Sequence, residues 1–195
     1  MRIFLAGATG VIGSRLLPLL VAAGHQVAGT TLSPDRAEAI RAAGGVPVVC
    51  DVYDLDALTS AMVVFAPDLV IHQITALPDD PARLMTSAVA VARMLTEGTA
   101  NLISAAKAAG AQRFLAWSTV LSLPGSGDIL AGHENAVLEM GGVVVRYGHL
   151  YGPGTYYQGE PPAPPRIHVD EAAARIASLL EAPSGIVVLV EESAG

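Results

Sequence analysis

Short apolar runs alternate along the chain with stretches whose apolar residues recur three and four positions apart. RIFLA (2–6), QVAGTT (26–31), VPVVC (46–50), DLVIHQI (68–74), RFLAWST (113–119), VVVRYG (143–148) and GIVVLV (185–190) are rich in β-formers and predict strands. Helical spacing falls between them, in SRLLPLLVAAG (14–24), PDRAEAIRAAG (34–44), DLDALTSAMVVF (54–65), roughly 83–109, NAVLEM (135–140) and 169–181. Gly24, Gly44 and Gly110 stand where helix-ending glycines belong. Regular strand–helix–strand alternation predicts an α/β fold, a doubly wound parallel sheet of about seven strands with helices on both faces. Such sheets bind ligands outside the carboxyl ends of their strands.

The first strand runs straight into GATGVIG at 7–13, which then opens the first helix. In a strand-to-helix turn Gly7 permits a tight reversal, Gly10 lets backbone approach a diphosphate, and Gly13 lets the helix pack closely on the strand. The unpaired N–H groups of the first helical turn and the helix dipole favour an anion there. The spacing is G-x-x-G-x-x-G rather than the G-x-G-x-x-G dinucleotide fingerprint.

Composition narrows the picture. With 195 residues, one domain spanning 1–195 is expected, with 152–166 as a mobile substrate-side loop. An apolar fraction of 52% beside 15% charged residues suits strands buried on both faces. A net charge of −7 with 11 basic residues and no basic cluster argues against a nucleic-acid partner. The single Cys50 leaves no internal disulfide, and reads as a small core residue. Arg15, Pro18 and the glycines interrupt the apolar N-terminus, so no signal peptide or membrane span is expected there. A soluble, cytoplasmic protein is the expectation.

The ordered pieces GATGVIG (7–13), CDV (50–52), VIHQITA (70–76), EGTANLISAAKAAG (97–110), RFLAWST (113–119), RYGHLYGPGT (146–155) and IHVDEAA (167–173) resemble the atypical or extended short-chain dehydrogenase/reductase superfamily, in its epimerase/dehydratase branch. The resemblance covers nearly the whole chain and implies a Rossmann-like NAD(P)-binding fold with a reduced C-terminal substrate lobe. It implies that Gly7, Thr9, Gly10, Val11, Ile12 and Gly13 wrap the pyrophosphate, that Asp51 and Val52 touch the adenine, and that His72–Ala76 line the nicotinamide ribose. His72 reads equally as a satisfied histidine at a strand end. No acid follows the second strand until Asp35, while Thr31 and Ser33 offer hydroxyls and Arg36 a charge for a 2′-phosphate. This favours NADP(H) over NAD(H), although Leu32 stands where relatives that prefer NADP carry arginine.

Family members that move hydrides carry a Tyr-x-x-x-Lys pair, whose lysine lowers the tyrosine pKa. Here the one lysine is Lys107, with Ile103 four positions earlier, so the pair is absent. Taking Glu139 as the family's glutamate puts the lysine position at Asn135 and the tyrosine position at Ala131. The catalytic candidates that remain are Thr119, His133 and Tyr151. Ser118, beside Thr119 at the end of the fifth strand, is a cofactor-binding candidate. His133 is the candidate acid or base, because free histidine titrates near neutrality. No metal is implied.

Three functions fit these residues. The first is an NADP(H)-dependent reductase of a small, hydrophobic carbonyl or enone compound. The second is a non-redox cyclase, isomerase or lyase on the same fold, and the third is a non-catalytic protein that senses NADP. The first is carried forward as the expectation, with a small-molecule substrate, a possible homodimer, and no nucleic-acid or membrane partner.

Overall fold

The structure is a computed structural model that describes residues 1–78, 80–121 and 127–191. In chain order its main elements are β1 (Arg2–Ala6), α1 (Gly13–Ala22), β2 (Gln26–Thr31), α2 (Ala37–Ala42), β3 (Val46–Val49), α3 (Leu55–Phe65), β4 (Leu69–His72), α4 (Ala88–Arg93), α5 (Thr99–Ala108), β5 (Arg113–Thr119), α6 (Gly127–Glu139), β6 (Val143–Tyr147), β7 (His149–Tyr151), β8 (Arg166–His168), α7 (Val169–Ala177) and β9 (Gly185–Leu189).

Seven strands form one sheet in the order β3-β2-β1-β4-β5-β6-β9, and every pairing in it is parallel. This is the expected doubly wound architecture. The chain leaves β1 toward β2 and β3, then crosses back to lay β4 on the other side of β1. The crevice between the carboxyl ends of β1 and β4 is therefore the topological switch point.

Alternation along each strand divides the core into two layers. Ile3, Leu5, Ile71, Leu115 and Val145 meet Leu16, Leu17 and Leu20 of α1, with Ala172 and Ile176 of α7 in the same cluster. On the other face Phe4, Val70, Phe114 and Val144 meet Leu58 and Met62 of α3, Leu102 of α5 and Val137 of α6. Each large apolar side chain enclosed in this way contributes about 1.5–3 kcal/mol relative to exposure. Gly24, Gly44 and Gly110 take positive φ just past their helices, as the sequence predicts.

Three elements differ from the sequence pattern. The stretch 83–109 is broken, with 3₁₀ turns at Pro81–Arg83 and Met85–Ser87, then α4, a π turn at Met94–Gly98, and α5. Helix α6 begins at Gly127 instead of 135, because Gly127 and Gly132 weaken its helical signature without preventing the helix. Strands β7 and β8, which the sequence pattern does not predict, flank the expected loop 152–166 and pair in parallel, with His149 opposite Arg166 and Tyr151 opposite His168. Among the described residues no helix is long and apolar enough to cross a membrane.

Candidate functional site

The turn from β1 into α1 is held from below by β2. Gly7 N–H donates to Thr30 Oγ1 at 2.9 Å and Ala8 N–H to the Thr30 carbonyl at 3.2 Å. Gly7 has φ of +87°, and a Cβ on Gly13 would stand 2.1 Å from Gly7 O. Neither position admits a side chain. A Cβ on Gly10 would lie 3.3 Å from Gly7 O, a tight contact but not a collision. The N–H groups of Val11, Ile12 and Gly13 have no backbone acceptor among the described residues. They lie at the amino end of α1, where the helix dipole is positive.

Arg15 ties this corner to two distant parts of the chain. Its guanidinium donates to Val11 O at 2.9 Å, to Pro153 O at 2.6 Å and to Asp170 Oδ1 at 2.6 Å. The Gly-Pro-Gly segment after β7 is thereby held beside the start of α1. Thr9 and Thr31 bring their hydroxyls within 3.4 Å, and Thr31 Oγ1 also accepts from Ser33 N–H at 3.2 Å. Arg36 is exposed at the end of the 3₁₀ turn Pro34–Arg36. Asp51 is exposed and caps the next turn by accepting from Tyr53 N–H, while the Val52 side chain is buried.

Beyond β4 the sheet carries a polar pair across its carboxyl end. Tyr147, at the end of β6, donates its hydroxyl to Gln73 Oε1 at 3.3 Å. Burial raises the Tyr147 phenol well above its ordinary range, so it remains protonated. Gln73 is 8% exposed, and its Nε2 has no partner among the described residues. Its backbone touches the glycine turn, since a Cβ on Gly7 would lie 3.0 Å from the Gln73 carbonyl.

The histidines predicted as functional lie elsewhere. His72 is fully enclosed on the side of the sheet that faces α5 and α6, the same side as Val70. Its Nδ1 accepts from Ile74 N–H at 3.2 Å, which leaves the ring proton on Nε2, 3.4 Å from Thr99 Oγ1. His133 is 2% exposed on α6, with Nδ1 at 2.8 Å from Thr99 Oγ1 and Nε2 at 2.8 Å from Trp117 O. A carbonyl can only accept, so His133 Nε2 carries the proton and its Nδ1 accepts from Thr99. The hydroxyl's proton goes to this acceptor rather than to Met94 O at 3.2 Å. One directed chain results, from Ile74 N–H through His72, Thr99 and His133 to Trp117 O. The Trp117 indole N–H returns to Ile74 O at 2.7 Å and closes the loop.

Both imidazoles are therefore neutral. Burial lowers His72 to about 3, assisted by the nearby His133, and burial likewise pushes His133 below its ordinary value. This corrects the expectation for His133. It is a core residue rather than a solvent-facing acid, because both of its nitrogens are engaged. The His72 side chain likewise turns away from the crevice.

Ser118 and Tyr151 also depart from their expected roles. Ser118 is fully buried and donates to Glu134 Oε1, while Arg146 grips Glu134 with two hydrogen bonds of 2.8 and 2.6 Å. Burial alone would raise the Glu134 carboxyl, but Arg146 and Ser118 hold it below the usual carboxylate range. Tyr151 donates its hydroxyl to Glu191, which raises its pKa and commits its proton. Thr119 is half-buried, donating to Tyr147 O at 3.1 Å and accepting from Leu121 N–H at 3.0 Å. Thr119, His133 and Tyr151 thus have three separate sets of partners and form no common catalytic group among the described residues.

Arg15, Thr99, Arg146 and Tyr147 escaped the sequence reading, which included Gln73 only as part of His72–Ala76, the segment expected to line the nicotinamide ribose. Gln73 had a usable signal, a polar residue closing an otherwise apolar strand at the switch point. Glu134 lies 12 positions from Arg146, His72 and His133 lie 27 and 34 from Thr99, and Asp170 lies 155 from Arg15, separations that leave no local pattern.

A parallel sheet of this order, with a glycine turn and open helix amides at its switch point, defines the Rossmann class of nucleotide-binding proteins. Residues 3–137 match the NAD dependent epimerase/dehydratase family, and the chain belongs to that family. It is 38% identical over 186 residues to a 3-diazoavenalumate denitrifying reductase of Streptomyces sp, a match covering 80% of this chain and 59% of that protein. An uncharacterized protein of Schizosaccharomyces pombe is 48% identical over 58 residues, 30% of this chain and 20% of its own length. The chain thus spans less than two thirds of the length of either relative. Among solved structures, UDP-glucose 4-epimerase of Thermus thermophilus, in complex with NAD, superimposes with a TM-score of 0.78 at 20% identity, covering 97% of this chain and 78% of that one. The anaerobilin reductase ChuY of Escherichia coli gives a TM-score of 0.75 at 19% identity, covering 100% and 99%. These two likenesses concern the fold.

Proposed function

We propose that this chain is an NAD(P)H-dependent reductase of a small, hydrophobic carbonyl or enone compound, with NADP(H) as its preferred cofactor. The observation that carries the reading is the β1–α1 turn, where side-chain-free backbone and open amides fit a diphosphate. The 38% identity to a reductase supports reduction over epimerisation. Arg36 after β2 and the lack of an acid at that strand's end support NADP(H).

When bound, the reduced nicotinamide supplies a hydride. The chain's own residues hold the diphosphate at Val11–Gly13, direct one half of the dinucleotide over β2 and β3, and leave the other half over β4 to β6. Leu77, Leu84, Met85 and Val89 are exposed on the segment after β4, an apolar surface suited to a hydrophobic substrate. Tyr156 donates its hydroxyl to Pro78 O and so joins this segment to the loop after β7. His133 and Tyr151 have committed protons, so the proton that completes reduction comes from water entering the crevice.

Titration with NADPH, NADP, NADH and NAD tests the reading, followed by NADPH consumption on a panel of aldehydes, ketones and enones. Tight binding of the phosphorylated pair and turnover of an apolar panel member are expected. Failure to bind any of the four dinucleotides overturns it. The absence of the Tyr-x-x-x-Lys pair favours a second reading, a non-redox isomerase or lyase. That enzyme would bind cofactor and turn over without changing its oxidation state.

A further inference from the structure

We infer that the Gln73 carboxamide is a hydrogen-bond donor kept for an acceptor oxygen on the nicotinamide half of the bound dinucleotide, which makes Gln73 a positioning residue of the site. The inference rests on the nucleotide-binding reading above. Its starting point is an imbalance: Gln73 is 8% exposed, yet its Nε2 has no partner among the described residues. An enclosed amide nitrogen without an acceptor destabilises the fold, and native cores keep few of them.

The orientation of the amide follows from Tyr147. As placed, the phenol donates to Oε1 at 3.3 Å and only the nitrogen lacks a partner. Exchanging oxygen and nitrogen would leave both the phenolic proton and the amide oxygen unmatched, which is worse. The phenol is fully enclosed and holds its proton, so the arrangement is maintained across the working pH range. A carboxamide whose oxygen already accepts is also a better donor at its nitrogen.

Position selects the occupant. Gln73 follows β4 directly, its N–H donates to Ala6 O at 2.9 Å, and its carbonyl borders Gly7. Its side chain reaches Tyr147 on β6 across the end of β5, since the strand order is β4-β5-β6. A diphosphate at Val11–Gly13 sends the adenosine half toward β2 and β3, and the other half must cross the end of β4. The nicotinamide half offers carboxamide and ribose oxygens that accept hydrogen bonds, which is the chemistry an N–H₂ donor recognises.

The test compares wild type, Gln73→Leu and Tyr147→Phe by calorimetric titration with NADPH and with 2′-phospho-ADP, which lacks both the nicotinamide ring and its ribose. Thermal unfolding of the unliganded proteins is measured alongside. For Gln73→Leu the dissociation constant for NADPH should rise about 3- to 10-fold, the size of one neutral hydrogen bond. Binding of the truncated ligand should change by less than about 2-fold. The unliganded melting temperature of Gln73→Leu should stay close to that of wild type, because loss of the unmatched Nε2 offsets loss of the acceptor for the Tyr147 hydroxyl. Tyr147→Phe should weaken NADPH binding by a smaller factor, through loss of orientation. Equal NADPH affinity in wild type and Gln73→Leu overturns the inference, as does an equal loss for both ligands. A wild type that binds neither ligand overturns the nucleotide-binding reading itself, and the role of Gln73 with it.

Discussion

His72 and His133 face the same hydroxyl group. Thr99 Oγ1 lies 2.8 Å from His133 Nδ1 and 3.4 Å from His72 Nε2, and the two rings meet edge to face with centroids 5.9 Å apart. Two imidazoles this close, both enclosed, are stable together only while uncharged.

Acid stability follows from that pair. His72 falls from 6.5 to about 3 on folding, and His133 falls in the same direction. Between these values the unfolded chain binds protons that the folded one refuses. Stability is therefore fully present above about pH 6.5 and declines as pH drops toward 3, by up to ~1.4 kcal/mol per pH unit for each histidine. Urea titrations from pH 8 to 4 should show the decline beginning near 6.5, above the range in which carboxylates titrate. A flat profile down to pH 5 would contradict the neutral pair.

Replacing His133 should damage folding rather than chemistry. His133→Ala removes an enclosed ring and its bond to the Trp117 carbonyl, and leaves the Thr99 hydroxyl proton only the longer contact to Met94 O at 3.2 Å. A cost of about 2–4 kcal/mol is expected in denaturant titration. At a temperature where the variant is folded, NADPH affinity should stay within about 2-fold of wild type. A stable variant with abolished turnover would restore His133 as a proton donor.

Two glycines of the turn should fail in different ways. A methyl at Gly13 collides with Gly7 O at 2.1 Å, whereas one at Gly10 meets the same atom at 3.3 Å. Gly13→Ala should lower the melting temperature and abolish dinucleotide binding together. Gly10→Ala should fold with nearly wild-type stability and lose affinity alone. Differential scanning fluorimetry with and without NADPH separates the two outcomes.

The carboxylate beneath Ser118 supports a third comparison. Glu134 is 7% exposed at its side chain and Arg146 36%, so water reaches one partner only. Glu134→Gln should cost about 1–3 kcal/mol, less than a fully enclosed ion pair would. Ser118→Ala should cost about 1.5 kcal/mol, the size of a hydrogen bond to a charged acceptor. In a double-mutant cycle the two losses should be less than additive, because Ser118→Ala removes, and Glu134→Gln weakens, the same contact.

The frame of the molecule was legible because its strands are buried on both faces and read as unbroken apolar runs between helices. The glycine turn was legible because the backbone itself excludes side chains there. His133 was misplaced for a traceable reason. Once α6 is extended back to Gly127, His133 falls four residues before the buried Val137 and shares its inward face. Starting that helix at 135 removed the periodicity that shows it. The β7–β8 pair was hidden because each strand has three residues and its partner lies 17 positions away. Tyr151 looked available for the same reason, since nothing local announces Glu191.

Trp117 is the one tryptophan in the chain, and its indole N–H is bound to Ile74 O beside the glycine turn. Intrinsic fluorescence therefore reports on a single known spot, at the join between the histidine chain and the crevice wall. Ligand entry can be followed by emission from the native protein, with no attached dye and no engineered label.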